Sequence, residues 1–359
     1  MKVVHIINSL QPGGAETLLA NSLAPGGLQE HTDNVVVYFQ GTSALEGRID
    51  KSVPVHSLGY KGLASLPQTL LKLRKIIKSH KADLVHSHLN PAGFYTHLVC
   101  PVPQVHTLHT TYSMDTVTRP AQLFLEKELY FKKKDCNIIL LSDFLREDFL
   151  RSVPFRGKSF VLNNFIADNF FNALSPVPAA GPLKMVAAGR LTGVKNFEYL
   201  LEVFKYLKGR EISLDIYGGG DPVPYEKIIA GNNLKITLKG HIDSMHTVLN
   251  HYDLYIMPST FEGFPLSAFE AMAARVPVML SDIPPLKNIV KDNAIYFPLD
   301  DPKAVADTIM NIESNKTGTG EMAKKAHAHA ISTVKRDAYL QRLLVIYQDI
   351  LQPNKNNHT

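Results

Sequence analysis

The segment Glu262-Gly263-Phe264-Pro265-Leu266-Ser267-Ala268-Phe269-Glu270 sets two carboxylates on either side of a proline, with seven residues between them. Proline suits the first turn of a helix, where an N–H would be unsatisfied anyway. Pro265 is therefore expected to leave Leu266 and Ser267 offering unpaired N–H groups to an anion. Glu262 then stands in the loop ahead of the helix, and Glu270 about one turn inside it. An anion at the helix start would have a carboxylate on each side, placed to accept hydrogen bonds from hydroxyls of a larger ligand. As a bare spacing, Glu-x7-Glu arises by chance; joined to Gly-Phe-Pro after the apolar run 254–257, it is specific.

Three other segments carry chemistry. Gly189-Arg190-Leu191-Thr192-Gly193-Val194-Lys195-Asn196 follows an apolar run. Arg190 can fork onto phosphate oxygens and Lys195 can add a mobile point charge, which suits a diphosphate; taken alone, the segment also reads as a solvated turn. Gly13-Gly14-Ala15-Glu16 opens a Leu- and Ala-rich helix after the first apolar run. Glycines there let backbone approach a phosphate at a helix start, or simply make a tight turn. The segment is not Gly-x-Gly-x-x-Gly, so a dinucleotide site loses its main support. Finally, His86, His88, His106 and His109 cluster near the expected C-terminal edge of the first sheet. His-x-His on a strand puts both rings on one face, a geometry that a zinc or iron site uses. No acidic or cysteine ligand stands at motif spacing, and buried, hydrogen-bonded histidines are commoner than ligands, so no metal is expected. His109 differs in lying past its strand, where ligands bind in such sheets.

These segments need a scaffold of strands ending in loops. Short apolar, β-branched runs alternate with helical patterns, as in parallel sheets with crossover helices. Strands are expected at 2–7, 34–39, 84–87, 103–107, 137–141 and 159–162, then at 184–188, 212–217, 235–238, 254–257, 276–280 and 294–297. Between the two sets, 173–183 is proline-rich and reads as an interdomain linker. A further helical pattern at 331–351 follows the second set. Leu66, Leu70, Leu73 and Ile77 share one helical face, while Lys72, Lys75 and Lys78 form a stripe on another.

At 359 residues the chain exceeds what one ordinary core supports, so two domains are expected. No run approaches the roughly 18 apolar residues a membrane span needs. Met1-Lys2-Val3-Val4-His5-Ile6-Ile7 is too short for a signal-peptide core and reads as a strand in a cytoplasmic protein. Two cysteines, Cys100 and Cys136, fit neither a disulfide framework nor a zinc site. Of the net charge of +5, most lies in residues 1–175, with 18 Lys/Arg against 14 Asp/Glu; the remainder has 20 against 19. That excess, with no recognition motif or dense basic stripe, excludes nucleic acid as a partner and suits a phosphorylated ligand or an anionic membrane surface.

In this order and spacing, Gly-Gly-x-Glu, a histidine after the fourth strand, Gly-Arg-Leu with Lys-Asn, and a late Glu-x7-Glu resemble family 4 of the glycosyltransferases, over nearly the whole chain. The resemblance implies an α/β fold of GT-B type: two Rossmann-like doubly wound domains facing across a cleft, with a C-terminal helix crossing back to the first. The expected divisions are an acceptor-binding domain at 1–172, a donor-binding domain at 173–330 and the helix at 331–351. It further implies a retaining, metal-independent transferase that needs no cofactor. The enzyme would move a hexose-type sugar from a nucleotide diphosphate donor, most often UDP in the family, to a glycan or lipid-linked acceptor in cell-surface polysaccharide biosynthesis. Carried over by position, Arg190 and Lys195 would bind the diphosphate and stabilise its developing charge. The Leu266 and Ser267 N–H groups would help hold it. Glu270 would bind ribose hydroxyls, and Glu262 with the Gly263-Phe264 backbone would contact the sugar. Gly14 would approach the diphosphate, and His109 would sit beside the sugar.

The sequence departs from the family pattern at Asn164-Phe165-Ile166-Ala167, at Asn288 and at Arg275. Two other functions fit parts of the pattern. A non-hydrolysing sugar-nucleotide epimerase would make a new nucleotide sugar without an acceptor, and a catalytically silent partner subunit would bind donor without turnover. The lysine stripe at 72–78 and Lys132-Lys133-Lys134 are expected either as solvated surface or as peripheral contact with an anionic inner-leaflet membrane.

Overall fold

The computed structural model describes residues 1–109, 124, 127–131, 136–172 and 181–352. Lys132, Lys133 and Lys134, and most of the proline-rich stretch 173–183, lie outside the described residues. The chain divides into two compact units, residues 1–164 with 336–359, and residues 165–335. No helix among the described residues is long and apolar enough to cross a membrane.

The first unit holds a seven-stranded parallel sheet in the order β3-β2-β1-β4-β5-β6-β7. Its strands are β1 (Lys2–Ile7), β2 (Asp33–Tyr38), β3 (Val55–Ser57), β4 (Leu84–His88), β5 (Gln104–Leu108), β6 (Cys136–Leu140) and β7 (Lys158–Val161). Six of these were expected from apolar runs. The edge strand β3, with the sequence Val-His-Ser, is too short and too polar to register as one. Val4, Ile6, Val35, Val37 and Val85 face a core closed by Leu73 and Ile77 of α2 (Leu66–Ser79) and Ala92 of α3 (Ala92–Val99). Because side chains alternate along a strand, the intervening residues His5, His86 and His88 face the other way.

That opposite face receives the last helix, α11 (Arg336–Leu351), whose Tyr347 hydroxyl lies 2.6 Å from His86 Nδ1. Arg336 Nη2 donates to the Ala24 carbonyl at 2.9 Å, and Lys158 pairs with Asp349 at 3.1 Å. The helical pattern at 331–351 is in fact two helices. Residues 331–334 complete α10 (Gly320–Val334) in the second unit, and the break falls at Lys335, which is extended. The first boundary also falls earlier than the proline-rich stretch. Phe165, Ile166, Phe170 and Phe171 are buried, Ile166 N–H donates to the Val334 carbonyl at 3.1 Å, and Lys335 lies over the Phe171 ring.

The second unit is a six-stranded parallel sheet in the order β10-β9-β8-β11-β12-β13. Here β8 is Leu183–Ala188, β9 Ile212–Tyr217, β10 Ile236–Gly240, β11 Leu254–Met257, β12 Val278–Ser281 and β13 Ile295–Phe297. Every one was expected, because each is a short run rich in apolar residues; the central strands β8, β11 and β12 are largely buried, while the edge strand β10 is buried mainly at Ile236. α5 (Phe197–Tyr206) and α9 (Pro302–Ser314) close the core through Leu200, Val203, Phe204, Val305 and Ile309. In both sheets the strand order reverses between the first and fourth strands, leaving a crevice outside their carboxyl ends where ligands of such sheets bind.

Candidate functional site

In the second unit this reversal lies between β8 and β11, and the two motif segments follow those two strands. The loop 189–196 and the loop 258–265 are stitched together, with Thr260 N–H donating to the Val194 carbonyl at 2.9 Å and Asn196 Nδ2 to the Pro258 carbonyl at 3.2 Å. Asn196 has φ of 52°, a left-handed conformation that asparagine tolerates better than most residues. Behind them, Gly218 comes so close that a Cβ would run into the Gly189 carbonyl, and Leu191 N–H donates to the Gly219 carbonyl at 2.8 Å. The sequence reading passed over the run Gly218-Gly219-Gly220, although three glycines after a strand are a signal of close backbone approach.

Within this frame the charges are unevenly satisfied. Lys195 Nζ donates to Glu262 Oε1 at 2.6 Å, and Ser259 Oγ donates to the same oxygen at 2.6 Å. The Glu262 side chain is only 7% exposed, so two donors on one oxygen offset its desolvation while leaving Oε2 free of them. Ser259 was missed; its position three residues ahead of the glutamate was the available signal. Arg190 is exposed and its guanidinium forms no ion pair among the described residues. Glu270, one turn into α7 (Leu266–Ala273), is partly buried with no hydrogen-bond donor on its carboxyl among the described residues, and desolvation pushes its pKa up to about 8.

The start of α7 differs from expectation in one detail. Pro265 is the residue ahead of the helix, with ψ of 68°, and its turn lets Leu266 N–H donate to the Phe264 carbonyl at 3.0 Å. Leu266 is therefore not free to meet an anion; the N–H groups of Ser267 and Ala268 are, since neither donates to a main-chain carbonyl. Ser267 Oγ donates to the Ala188 carbonyl at 3.2 Å and accepts from the Tyr255 hydroxyl at 2.8 Å, fixing the helix start to the end of β8. Phe264 is buried and stacks on Phe269, with centroids 5.2 Å apart, so its role is to anchor the loop and leave the Gly263-Phe264 backbone outermost.

The remaining two site residues lie in the first unit. Gly14 opens α1 (Gly14–Ser22), is exposed, and has nothing within 4 Å of where a Cβ would stand. His109 follows β5; its Nε2 is buried without a partner among the described residues, and burial, then the nearby His106, pushes its pKa down to about 3, so it is neutral at pH 7. The loops after β1 and β4 are joined by Asn8, which donates to the Asn90 carbonyl at 2.7 Å and accepts from Ala92 N–H at 2.9 Å, a link the sequence did not reveal. The four-histidine cluster is not one group. His106 sits beside Ser87, Gly93 and His97, on the opposite face of the sheet from His86 and His88. The neighbour of the latter two is His5, which the sequence reading left out.

With the geometry established, kinship can be stated. Residues 12–170 match the family described as Glycosyltransferase Family 4, and residues 175–332 match Glycosyl transferases group 1. The chain belongs to the group 1, family 4 glycosyltransferases. An uncharacterised glycosyltransferase of Methanocaldococcus jannaschii is 26% identical over 273 residues, covering 64% of this chain and 66% of that relative. The UDP-Gal:alpha-D-GlcNAc-diphosphoundecaprenol alpha-1,3-galactosyltransferase of Escherichia coli is 24% identical over 275 residues, covering 69% and 71%. HepE of Anabaena, solved in complex with UDP-glucose, superposes with a TM-score of 0.83 at 18% identity, covering 97% of this chain and all of that one. The two parallel-sheet Rossmann-like units are thus the GT-B fold, and this glycosyltransferase carries its charged loops where that fold's strand order reverses.

Proposed function

We propose that this glycosyltransferase moves a hexose-type sugar from a UDP-sugar to a glycan or lipid-linked acceptor, with retention and without a metal ion, in assembly of a cell-surface polysaccharide. One observation carries the reading. The unpaired Arg190 guanidinium and the unpaired Glu270 carboxyl lie on the two segments that flank the strand-order reversal, with free N–H groups of a helix start between the carboxylates. That is a diphosphate site with a hydroxyl-binding group at each end. Glu270 receives ribose hydroxyls; Glu262, through Oε2, and the Gly263-Phe264 backbone receive the sugar. UDP is favoured because HepE was solved with UDP-glucose and the Escherichia coli relative is named for UDP-Gal.

When the glycosidic C–O bond breaks, its electron pair stays on the diphosphate. Arg190, Lys195 and the Ser267 and Ala268 N–H groups meet that charge, so cations of the chain take the part a metal ion plays in other transferases. Lys195 can turn from Glu262 to phosphate, because Ser259 still holds the carboxylate. The acceptor hydroxyl attacks from the face the diphosphate leaves and passes its proton to the departing phosphate oxygen. No protein base is then required. Gly14, with its open backbone, is assigned to a phosphate, and His109 to a sugar hydroxyl. As a neutral imidazole, His109 can hydrogen-bond a sugar hydroxyl without adding charge.

A lipid-linked acceptor fits the exposed face of α2, where Lys75 and Lys78 follow the exposed Leu71 at helical spacing. Lys72 leaves that stripe, since its Nζ donates to the Ser57 carbonyl at 2.7 Å. Each cation at an anionic surface contributes about 1 kcal/mol, so K75A/K78A is expected to release the protein, at the cytoplasmic face, from phosphatidylglycerol vesicles. Binding unchanged by that variant removes the membrane part of the proposal. The reaction itself is tested with UDP-glucose, UDP-galactose and their N-acetyl forms in EDTA, with lipid-linked sugars as acceptors, reading the anomeric configuration by NMR. An α-linked product from an α-linked donor is expected; an inverted product, or a dependence on added Mg²⁺ or Mn²⁺, overturns the mechanism.

A further inference from the structure

The donor reading leaves the buried histidines of the first unit unused. His5 on β1 pairs in register with His86 on β4, and one ring nitrogen from each of His5, His86 and His88 lies within 4.8 Å of the other two. Their neighbours fix what those nitrogens are. Asn34 Nδ2 donates to the Thr32 carbonyl at 2.9 Å, so the atom it turns to His5 Nε2 at 3.1 Å is Oδ1, which only accepts. His5 Nε2 therefore carries the proton, and Nδ1 is a bare lone pair, buried and without a partner. His88 is 3% exposed and neither of its ring nitrogens has a partner among the described residues. His86 is held at both nitrogens, by the Tyr347 hydroxyl at 2.6 Å and by Thr107 Oγ1 at 2.7 Å.

Leaving buried nitrogens unsatisfied is costly, and three imidazoles gathered within 4.8 Å offer an electron-pair acceptor its ligands. We propose that His5, His86 and His88 bind one divalent transition-metal ion of the zinc type, at a site separate from the donor segments. Three imidazoles with no carboxylate select Zn²⁺, Ni²⁺ or Cu²⁺ over Mg²⁺ and Ca²⁺. With metal–nitrogen distances of about 2.0–2.1 Å, tetrahedral ligands stand roughly 3.4 Å apart, and the rings reach this by closing in through side-chain rotation. Asn34 orients His5, and whichever hydroxyl His86 keeps orients that ring, as outer partners of metal-bound histidines do. The Tyr347 hydroxyl or a water supplies the fourth position.

The test is the zinc content of the purified chain after dialysis against micromolar Zn²⁺ and then against metal-free buffer. Its variants are H88Q, H5Q and H56Q/H80Q, the last removing a surface pair whose Nε2 atoms lie 3.0 Å apart. One equivalent is expected in the wild type and in H56Q/H80Q, and less than a tenth of that in H88Q and H5Q. X-ray absorption at the zinc edge of the wild type should count three imidazoles, a readout that stands even where H88Q or H5Q does not fold. A wild type that holds no zinc, zinc lost only from H56Q/H80Q, or fewer than three imidazoles at the edge overturns the proposal and leaves the histidines to ordered water.

Discussion

Replacing Glu270 by glutamine should stabilise the ligand-free protein in alkali while weakening its hold on UDP. The Glu270 carboxyl is partly buried, has no donor on it among the described residues, and titrates at about 8 against an ordinary value of 4.5. Its pKa is raised on folding, so the folded chain keeps a proton that the unfolded chain has lost between these two values. Stability therefore falls as pH rises from about 4.5 to about 8. The whole shift corresponds to at most ~5 kcal/mol; because water reaches the carboxyl, roughly 1–3 kcal/mol is the expected loss. Glu270→Gln carries no charge to desolvate, so in urea unfolding it should exceed the wild type by that amount at pH 8.5 and match it at pH 5. The same carboxyl must ionise to accept ribose hydroxyls well. Calorimetry of UDP binding at pH 7 should then release up to one proton, with wild-type affinity rising about tenfold from pH 7 to pH 9, since only about a tenth is ionised at pH 7. Glu270→Gln should release none and bind about tenfold more weakly than the wild type at pH 9. A stability difference that does not change with pH, or UDP binding without proton release, would refute the reasoning.

Other perturbations separate binding from folding. Arg190→Ala should leave the unfolding midpoint unchanged, because the guanidinium is exposed and unpaired, yet lower kcat/KM by roughly 10- to 150-fold, the worth of one charge-assisted hydrogen bond. Lys195→Met should lower both stability and turnover, costing about 1–3 kcal/mol by leaving the buried Glu262 with Ser259 as its donor; urea unfolding and turnover assays read the two effects. Gly14→Val should fold as well as the wild type, since among the described residues no non-local atom lies within 4 Å of a Cβ there. A drop in turnover then means the glycine is kept for the ligand, and unchanged turnover removes Gly14 from the site.

The sequence disclosed what depends on local pattern. The six strands of the second sheet are short runs rich in apolar residues, and the segments 189–196 and 262–270 are contiguous in the chain, so their chemistry could be read directly. Features that depend on packing or on distant residues were harder to see. Leu266 lost its N–H to a turn at Phe264, which the proline alone does not specify. His106 was grouped with His86 and His88, but a register that pairs Ser87 with His106 sends them to opposite faces. His5 lies 81 residues from His86 and joins it only through the β1–β4 pairing. The proline-rich stretch suggested a boundary at 173, whereas buried aromatics from Phe165 onward already belong to the second unit.

The central claim, that the second unit holds a nucleoside diphosphate without a metal, is tested most directly by thermal unfolding in EDTA against UDP, GDP and ADP, with Arg190→Ala and Glu270→Ala alongside. A ligand bound by the folded state alone raises the midpoint by an amount that grows with its concentration over Kd. At pH 9, where Glu270 is mostly ionised, UDP is expected to raise that of the wild type most and those of both variants by less at the same concentration. No shift with any nucleotide at millimolar concentration, or a shift that both variants keep in full, would contradict the assignment of this site.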